Sequence, residues 1–475
     1  MNHPLTYRGR RVVVLGLAKS GVSVAKVFHS YGANVVVNDQ KEREKCPEAS
    51  ELDALGISVI CGGHPEDLIT EDTALLIKNP GIPYHVGPVR TAEALGIEIV
   101  TEVEVAYWLS PAPILGITGS NGKTTTTTWT GKLLEAAGML PIIAGNIGRP
   151  LCEAAEEATA EQWLVAELSS FQLKGTSEFR PRVAVLLNLA ETHLDYHGDM
   201  DDYVASKARL FANQTAEDTA VLNWDDPVCR RLADMLQARL LPFAAYQRLD
   251  SGVYMEPPYP PAGEEDTNSD TRQIVWKSDK GVIPIAAAAE LGIPGRHNAA
   301  NALAAAAAVL AAGADPKLLA EPLRNFRGVE HRLEFVGSFH GVAYYNDSKA
   351  TNPTATTMSV GSLKEPIVLI AGGLDRGSDY MDLLPLFKSR VRAVVAIGQT
   401  REKISRVAEL AGLTAVVTVD PLEDAETTLR HAVREAAALA RPGDAVLLSP
   451  ACASWDMFQS YEQRGRIFKE SAHTL

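Results

Sequence analysis

The stretch Gly116-Ile-Thr-Gly-Ser-Asn-Gly-Lys-Thr-Thr125 decides how this chain is read. An apolar run over residues 113–117 leads into it, and a long Thr-rich helical pattern leads out. Glycines let successive backbone N–H groups turn toward one anion, and the start of a helix adds partial positive charge. In such a loop Lys123 reaches terminal phosphates and the Thr124 hydroxyl ligates Mg²⁺. The spacing departs from the strict GxxxxGK[ST] pattern, because Ile117 stands where its first glycine belongs. The glycines fall instead at Gly116, Gly119 and Gly122. The competing reading is a tight strand-to-helix turn with an exposed lysine, and the strand before and helix after weigh against it.

Upstream, residues 11–15 form a β-branched run, residues 23–31 a helical pattern and residues 33–37 a second strand. Further apolar strands at 57–60, 75–77 and 97–100 imply a parallel sheet. Downstream of the loop, buried strands are expected at 163–166 and 183–187, and an Ala-rich helix at 297–312 with Gly313 at its end. Residues 251–270 are rich in Pro, Gly and acid and read as a surface loop or hairpin excursion. From near Gly328 the strands are expected at 343–346, 367–371, 393–397, 415–419 and 445–448. The expected class is α/β in three domains: Rossmann-like over 1–110, a central P-loop-type ATP-binding domain over 111–327, and Rossmann-like over 328–475.

Composition agrees with this division. A chain of 475 residues exceeds what one core usually supports. With 46% hydrophobic and 22% charged residues it is globular rather than disordered. Its 45 Lys+Arg against 59 Asp+Glu leave a net charge of −14, which argues against a nucleic-acid partner. A locally basic pocket can still take a small anion. Cys46, Cys61, Cys152, Cys229 and Cys452 are scattered without a CxxC spacing, so neither a disulfide framework nor a zinc site is indicated. No secretory h-region opens the chain and no apolar run approaches a spanning length, so the expectation is a cytoplasmic protein without a membrane partner.

Gly16-Leu-Ala-Lys-Ser-Gly21, with Asp39 ending the next strand, resembles a dinucleotide fingerprint. Ala18 occupies the middle glycine, where the backbone must approach a pyrophosphate. A fold-forming turn or a different diphosphate ligand therefore competes with NAD. Glu167 ends an apolar strand after the phosphate loop, the place of a carboxylate that ligates Mg²⁺. His193 follows another strand, at the sheet edge where α/β ligands bind, although a lone histidine is usually structural. Lys207, in Tyr203-Val-Ala-Ser-Lys-Ala-Arg209, reads from its spacing as a solvated helix-surface lysine.

The loop, together with Gly145-Asn-Ile-Gly148, Glu167-Leu-Ser-Ser-Phe-Gln172, His297-Asn-Ala-Ala-Asn301 and His331-Arg332, resembles the Mur ligase family, ATP-dependent amide-forming ligases of peptidoglycan precursor synthesis. Asn346-Asp-Ser-Lys-Ala-Thr-Asn352 and Leu448-Ser-Pro-Ala-Cys-Ala-Ser454 resemble its D-glutamate-adding branch. The resemblance implies ligation of D-glutamate to UDP-N-acetylmuramoyl-L-alanine through an acyl phosphate, by a monomer using ATP and two Mg²⁺ ions. It implies Gly119, Ser120, Asn121, Gly122, Lys123, Thr124, Thr125, Asn301, Arg332, Asp347 and Lys349 for ATP. It implies Thr124, Glu167, His193 and a carbamylated Lys207 for metal, with Lys123, His193 and Lys207 catalytic. UDP replaces NAD in the first domain, at Ser20, Asp39, Gln40 and Asn79, and Asn146 meets the sugar–peptide. Thr351, Arg376, Ser454 and Tyr461 are implied for D-glutamate. Arg376 stands where some relatives carry Lys, and Trp455 and Tyr461 where some have Leu and Phe.

The alternatives are another amino-acid-adding member or a folylpolyglutamate synthase-like ligase. The absence of a DNPR-type block counts against the diamino-acid-adding version. A Rossmann oxidoreductase explains residues 11–39 alone, and a regulatory module would bind ATP without turnover.

Overall fold

A computed structural model describes residues 2–475 apart from 193, 262, 263, 265, 269 and 270, and Asp195 in its backbone alone. The contacts divide the chain into two units, residues 1–291 with 299–324, and residues 292–298 with 325–475.

Among the described residues the first unit holds two sheets. The five-stranded sheet runs, in space, Ser58–Cys61, Asn34–Asp39, Arg11–Leu15, Thr73–Lys78, Ile99–Val100, all parallel. Val12, Val13 and Val14 are fully buried, as a strand covered on both faces requires. The strand order reverses beside Arg11–Leu15, which opens a crevice at the carboxyl ends of the strands.

The nine-stranded sheet runs Gly281–Ala287, Gln273–Ser278, Gly252–Glu256, Arg239–Ala244, Thr219–Asn223, Val183–Leu186, Ile114–Thr118, Trp163–Glu167, Pro141–Gly145. Its last seven strands are parallel and its first two antiparallel. The expected loop at 251–270 is thus corrected at its start. Gly252–Glu256 is a strand with Val253, Tyr254 and Met255 buried, paired antiparallel to Gln273–Ser278. The prolines that follow it masked a five-residue strand. The strand Arg239–Ala244 was hidden in the same way, by Pro242 at a parallel pairing position.

The second unit holds a six-stranded sheet, Glu334–Phe339, Val342–Asn346, Ala445–Leu448, Ile367–Gly372, Val391–Ile397, Val416–Thr418, with only the first strand antiparallel. Helix Arg296–Ala311 begins within the chain crossing between the units, and Gly313 beyond its end adopts φ +99°.

Buried carboxylates join the two sheets of the first unit. Helix Glu102–Leu109 carries Glu104, whose carboxylate accepts the backbone N–H groups of Ser177, Glu178 and Phe179 at 2.8, 2.8 and 3.2 Å. Glu102 Oε1 accepts the N–H of Cys152 at 2.5 Å. Burial pushes both carboxyls above the usual range, and these N–H donors oppose the shift. Glu104→Ala leaves three donors without their acceptor, so we expect a loss of about 3 kcal/mol in this unit. The check is a lower first transition in thermal unfolding, with Glu104→Gln falling in between.

Candidate active site

Strand Ile114–Thr118 delivers the loop, and Gly122, at φ +83°, is the residue before helix Lys123–Ala136. The loop is held from the neighbouring strand end. Asn121 N–H donates to Asn188 Oδ1 at 2.9 Å, Asn188 Nδ2 donates to the Asn121 carbonyl at 3.1 Å, and Ser120 N–H donates to the Asn188 carbonyl at 3.0 Å. Ser120 Oγ also meets Tyr203 OH at 2.8 Å. Lys123 Nζ curls back onto the carbonyls of Gly119 and Ser120, at 2.8 and 3.0 Å. Thr124 is buried and Thr125 half-buried on the first helical turn. Asn301 packs on the same loop: a Cβ at Gly122 would lie 2.3 Å from Asn301 Oδ1. Gly116 serves a different purpose from its fellow glycines. Its missing Cβ would stand 2.9 Å from Leu210 Cδ1, so it permits packing beneath the loop.

Glu167 lies beside this loop, registered against Ile117. Its Oε1 accepts from Asn146 Nδ2 at 2.8 Å, and its Oε2 is buried without a hydrogen-bond partner. An orphaned buried carboxylate oxygen suits a cation. Gly145, at φ +105°, lets the backbone pass close to Glu167, where a Cβ would lie 2.5 Å from its carbonyl oxygen.

Lys207 corrects the solvated-surface reading. The residue is 1% exposed. Helix Met200–Ala208 turns it inward, and its Nζ donates to the Gly119 carbonyl at 3.0 Å and Thr118 Oγ1 at 3.2 Å. Burial, then the charge of Lys123, lowers its pKa to about 6, while Glu167 opposes the shift. The short, weakly periodic helix concealed which face was covered. Two lysine side chains and one carboxylate therefore meet at the Gly119 turn. His193 lies outside the described residues. Among the described residues no cluster of three or more His, Cys, Asp or Glu side chains could hold a metal.

A second cluster forms at the crevice of the five-stranded sheet. Ser20 Oγ donates to Asn79 Oδ1 at 2.7 Å. Asp39 accepts the N–H of Leu17 at 2.8 Å and of Lys41 at 2.9 Å, and Gln40 beside it is exposed. Asp39 thus shapes the turn that a diphosphate would approach.

In the second unit Asp347 is buried and accepts from Leu333 N–H at 3.1 Å and Ser449 Oγ at 2.7 Å, and burial lifts its carboxyl to about 6. Lys349 Nζ donates to Tyr461 OH at 2.6 Å and lies 3.9 Å from that ring's centre. This joins a residue expected at ATP to one expected at D-glutamate. Ser454 is buried, Thr351 half-buried, and exposed Arg376 stacks on Trp455 at 5.3 Å. The backbone of Arg332 is set between His331 and Leu333, both at positive φ.

Arg464 was not singled out from the sequence. It is 1% exposed, and it donates from Nε to Ser348 Oγ at 3.0 Å and from Nη2 to the carbonyls of Ser348 and Cys452 at 2.8 and 3.2 Å. It ties the 346–352 block to the 448–454 block. The available signal was Gly465 beside it, where a Cβ would lie 2.2 Å from His331 Nδ1.

Comparison with known proteins matches these features in chain order. Residues 10–101 match the MurD-like N-terminal domain of Mur ligases, 117–309 the Mur ligase middle domain, and 331–452 the glutamate ligase domain. The chain is 47% identical to a UDP-N-acetylmuramoylalanine--D-glutamate ligase of Geobacillus kaustophilus (strain HTA426), over 99% of this chain and 98% of that protein. It is also 47% identical to the Shouchella clausii (strain KSM-K16) protein of that name, over 98% and 97%. Two crystal structures share the fold. They are UDP-N-acetylmuramate-alanine ligase MurC from Thermotoga maritima (TM-score 0.58, 18% identity, 98% and 99% coverage) and MurF ligase from the same organism in complex with ADP (0.55, 15%, 100% of each). With three consecutive domain matches and near-complete coverage at this identity, the chain belongs to the Mur ligase family.

Proposed function

We propose that this chain ligates D-glutamate to UDP-N-acetylmuramoyl-L-alanine at the expense of ATP, in cytoplasmic peptidoglycan precursor synthesis. The relatives' shared activity and near-full-length identity support the substrate pair. No helix among the described residues is long and apolar enough to cross a membrane. The observation that carries the chemistry is the buried Lys207 amine, set between the Gly119 turn, Lys123 and Glu167.

In this reading residues 1–110 bind the UDP-sugar, 111–327 ATP and 328–475 D-glutamate. The substrate carboxylate attacks the γ-phosphorus of ATP, forming an acyl phosphate and ADP. The amine of D-glutamate then attacks the acyl carbon, and the tetrahedral adduct expels phosphate. Two anions meet in the first step, so charge stabilisation is the main lever. Lys123 exchanges its loop carbonyls for the terminal phosphates. Thr124, Glu167, His193 and a carbamylated Lys207 would hold magnesium, which would supply neutralisation of the phosphate charge. The orphaned Glu167 oxygen fits that role. Carbamate formation joins a neutral amine to CO₂ and releases a proton, and a pKa near 6 leaves the amine largely neutral at pH 7. Ser20, Asp39, Gln40, Asn79 and Asn146 serve the UDP-sugar. Asn301, Arg332, Asp347 and Lys349 serve the nucleotide, and Thr351, Arg376, Ser454 and Tyr461 the incoming amino acid.

The defining test is phosphate release with UDP-N-acetylmuramoyl-L-alanine across a panel of D- and L-amino acids, where D-glutamate alone should support turnover. Lys123→Ala should lower kcat on the order of 10³-fold with the fold intact. Near-wild-type turnover at saturating ATP would refute its role. Lys207→Ala should be nearly inactive and partly rescued by a short carboxylate such as acetate. Wild-type activity should fall in decarbonated buffer and return with bicarbonate.

A further inference from the structure

Lys78 is the last residue of strand Thr73–Lys78 and is 1% exposed. Its Nζ donates to the carbonyls of Asn79 at 3.4 Å and Pro80 at 3.3 Å, and to Tyr196 OH at 3.3 Å. Tyr196 OH in turn donates to the carbonyls of Pro80 at 3.1 Å and Ile82 at 3.3 Å. The Tyr84 ring closes over the lysine, with Nζ 4.5 Å from its centre. Tyr196 belongs to helix Leu194–His197, and packs against Phe171 at 4.6 Å and His197 at 5.0 Å. His197 bridges Ser170 at 2.9 Å and Asp202 at 2.7 Å. The segment holding Tyr196 is thereby fixed to helix Ser170–Lys174, which follows the strand ending at Glu167, and to the helix that carries Lys207.

Among the described residues no carboxylate pairs with Lys78. The titratable groups facing it are Tyr84, Tyr196 and Lys174, and Lys174 is itself paired with Asp202 at 2.7 Å. Arg209 and Glu93 act on Tyr84 from further out. A buried lysine whose acceptors are all neutral is costly, so its position calls for a gain elsewhere.

We infer that Lys78 and Tyr196 form a positioning latch, which holds the loop over residues 79–82 in register with the catalytic segment and so sets affinity for the UDP-sugar. This rests on the functional reading above, in which Asn79 meets that substrate. The latch joins the end of strand Thr73–Lys78 to helix Leu194–His197: one lysine and one hydroxyl hold the carbonyls of Asn79, Pro80 and Ile82. Three oxygens face Nζ, and an ammonium carries three N–H groups where an amine carries two. The complete latch therefore needs the proton. Burial, with Lys174 nearby, lowers the lysine's pKa to about 7, so the free protein loses the third donor as pH rises through neutrality. Substrate that requires the complete latch must bind with proton uptake above that pH.

Calorimetry of UDP-N-acetylmuramoyl-L-alanine binding at pH 8, in two buffers of different ionisation enthalpy, reads this directly. The wild type should take up roughly nine-tenths of a proton. Lys78→Met should take up none and bind on the order of tenfold more weakly. Tyr196→Phe, a milder change that keeps the ring packing, should also weaken binding, and the double variant should lose less than the sum. KM for ATP and for D-glutamate should stay within twofold. Equal uptake in the wild type and Lys78→Met would overturn the latch. So would no uptake in the wild type, or a common shift of all three KM values and kcat, which marks general loosening. If Lys78→Met does not fold, unchanged binding by Tyr196→Phe overturns it alone. Wild-type protein that neither binds the UDP-sugar nor releases phosphate would instead overturn the functional reading, and the latch with it.

Discussion

The carbonyl of Gly119 accepts both Lys123 and Lys207, and much of the first unit is arranged around that shared acceptor. Two ammonium groups cannot both sit charged on one oxygen in a buried place without cost. The lysine that is more buried gives up its proton more readily. The other remains on the first turn of a helix, whose N-terminus favours negative charge. One turn of backbone thus sorts two chemically identical side chains into two tasks. Asn188 and Tyr203 hold the turn, and the sorting by burial and by Lys123 prevails over the opposing charge of Glu167.

Much of this was legible in the sequence, and the parts that were not share a cause. Strands such as Arg11–Leu15 and Ala445–Leu448 stood out because β-branched or aliphatic runs bounded by turn-forming residues have few other readings. The phosphate loop was legible because its glycines and lysine are local. Lys207 was misread because its burial depends on residues almost ninety positions away, at Thr118 and Gly119. Arg464 escaped notice for the same reason: its partners Ser348 and Cys452 are remote, and two of its three bonds go to carbonyls, which carry no side-chain signature. Gly252–Glu256 was lost to the prolines that follow it. Local chemistry is written in one place along the chain; burial is written in two.

The two units solve a similar problem by different means. In the first, cations converge on a turn and a carboxylate waits with one oxygen free. In the second, Arg464 is held by neutral oxygens and braces two loops, while Lys349 is drawn onto Tyr461. The buried charge of Arg464 thus serves as scaffolding for the loops at Ser348 and Cys452. An acidic chain of net charge −14 can in this way still present cations to anionic ligands, since each is placed by short-range contacts.

Gly116 makes room for packing beneath the loop, close to the chain that carries Lys207. Leu210 Cδ1 fills the space where its side chain would be, and Leu210 follows Lys207 by less than one helical turn. A methyl group at Gly116 would press on Leu210, in the turn Arg209–Phe211 that directly follows the lysine's helix. The size of residue 116 is therefore limited jointly by Leu210, Leu168 and Pro181.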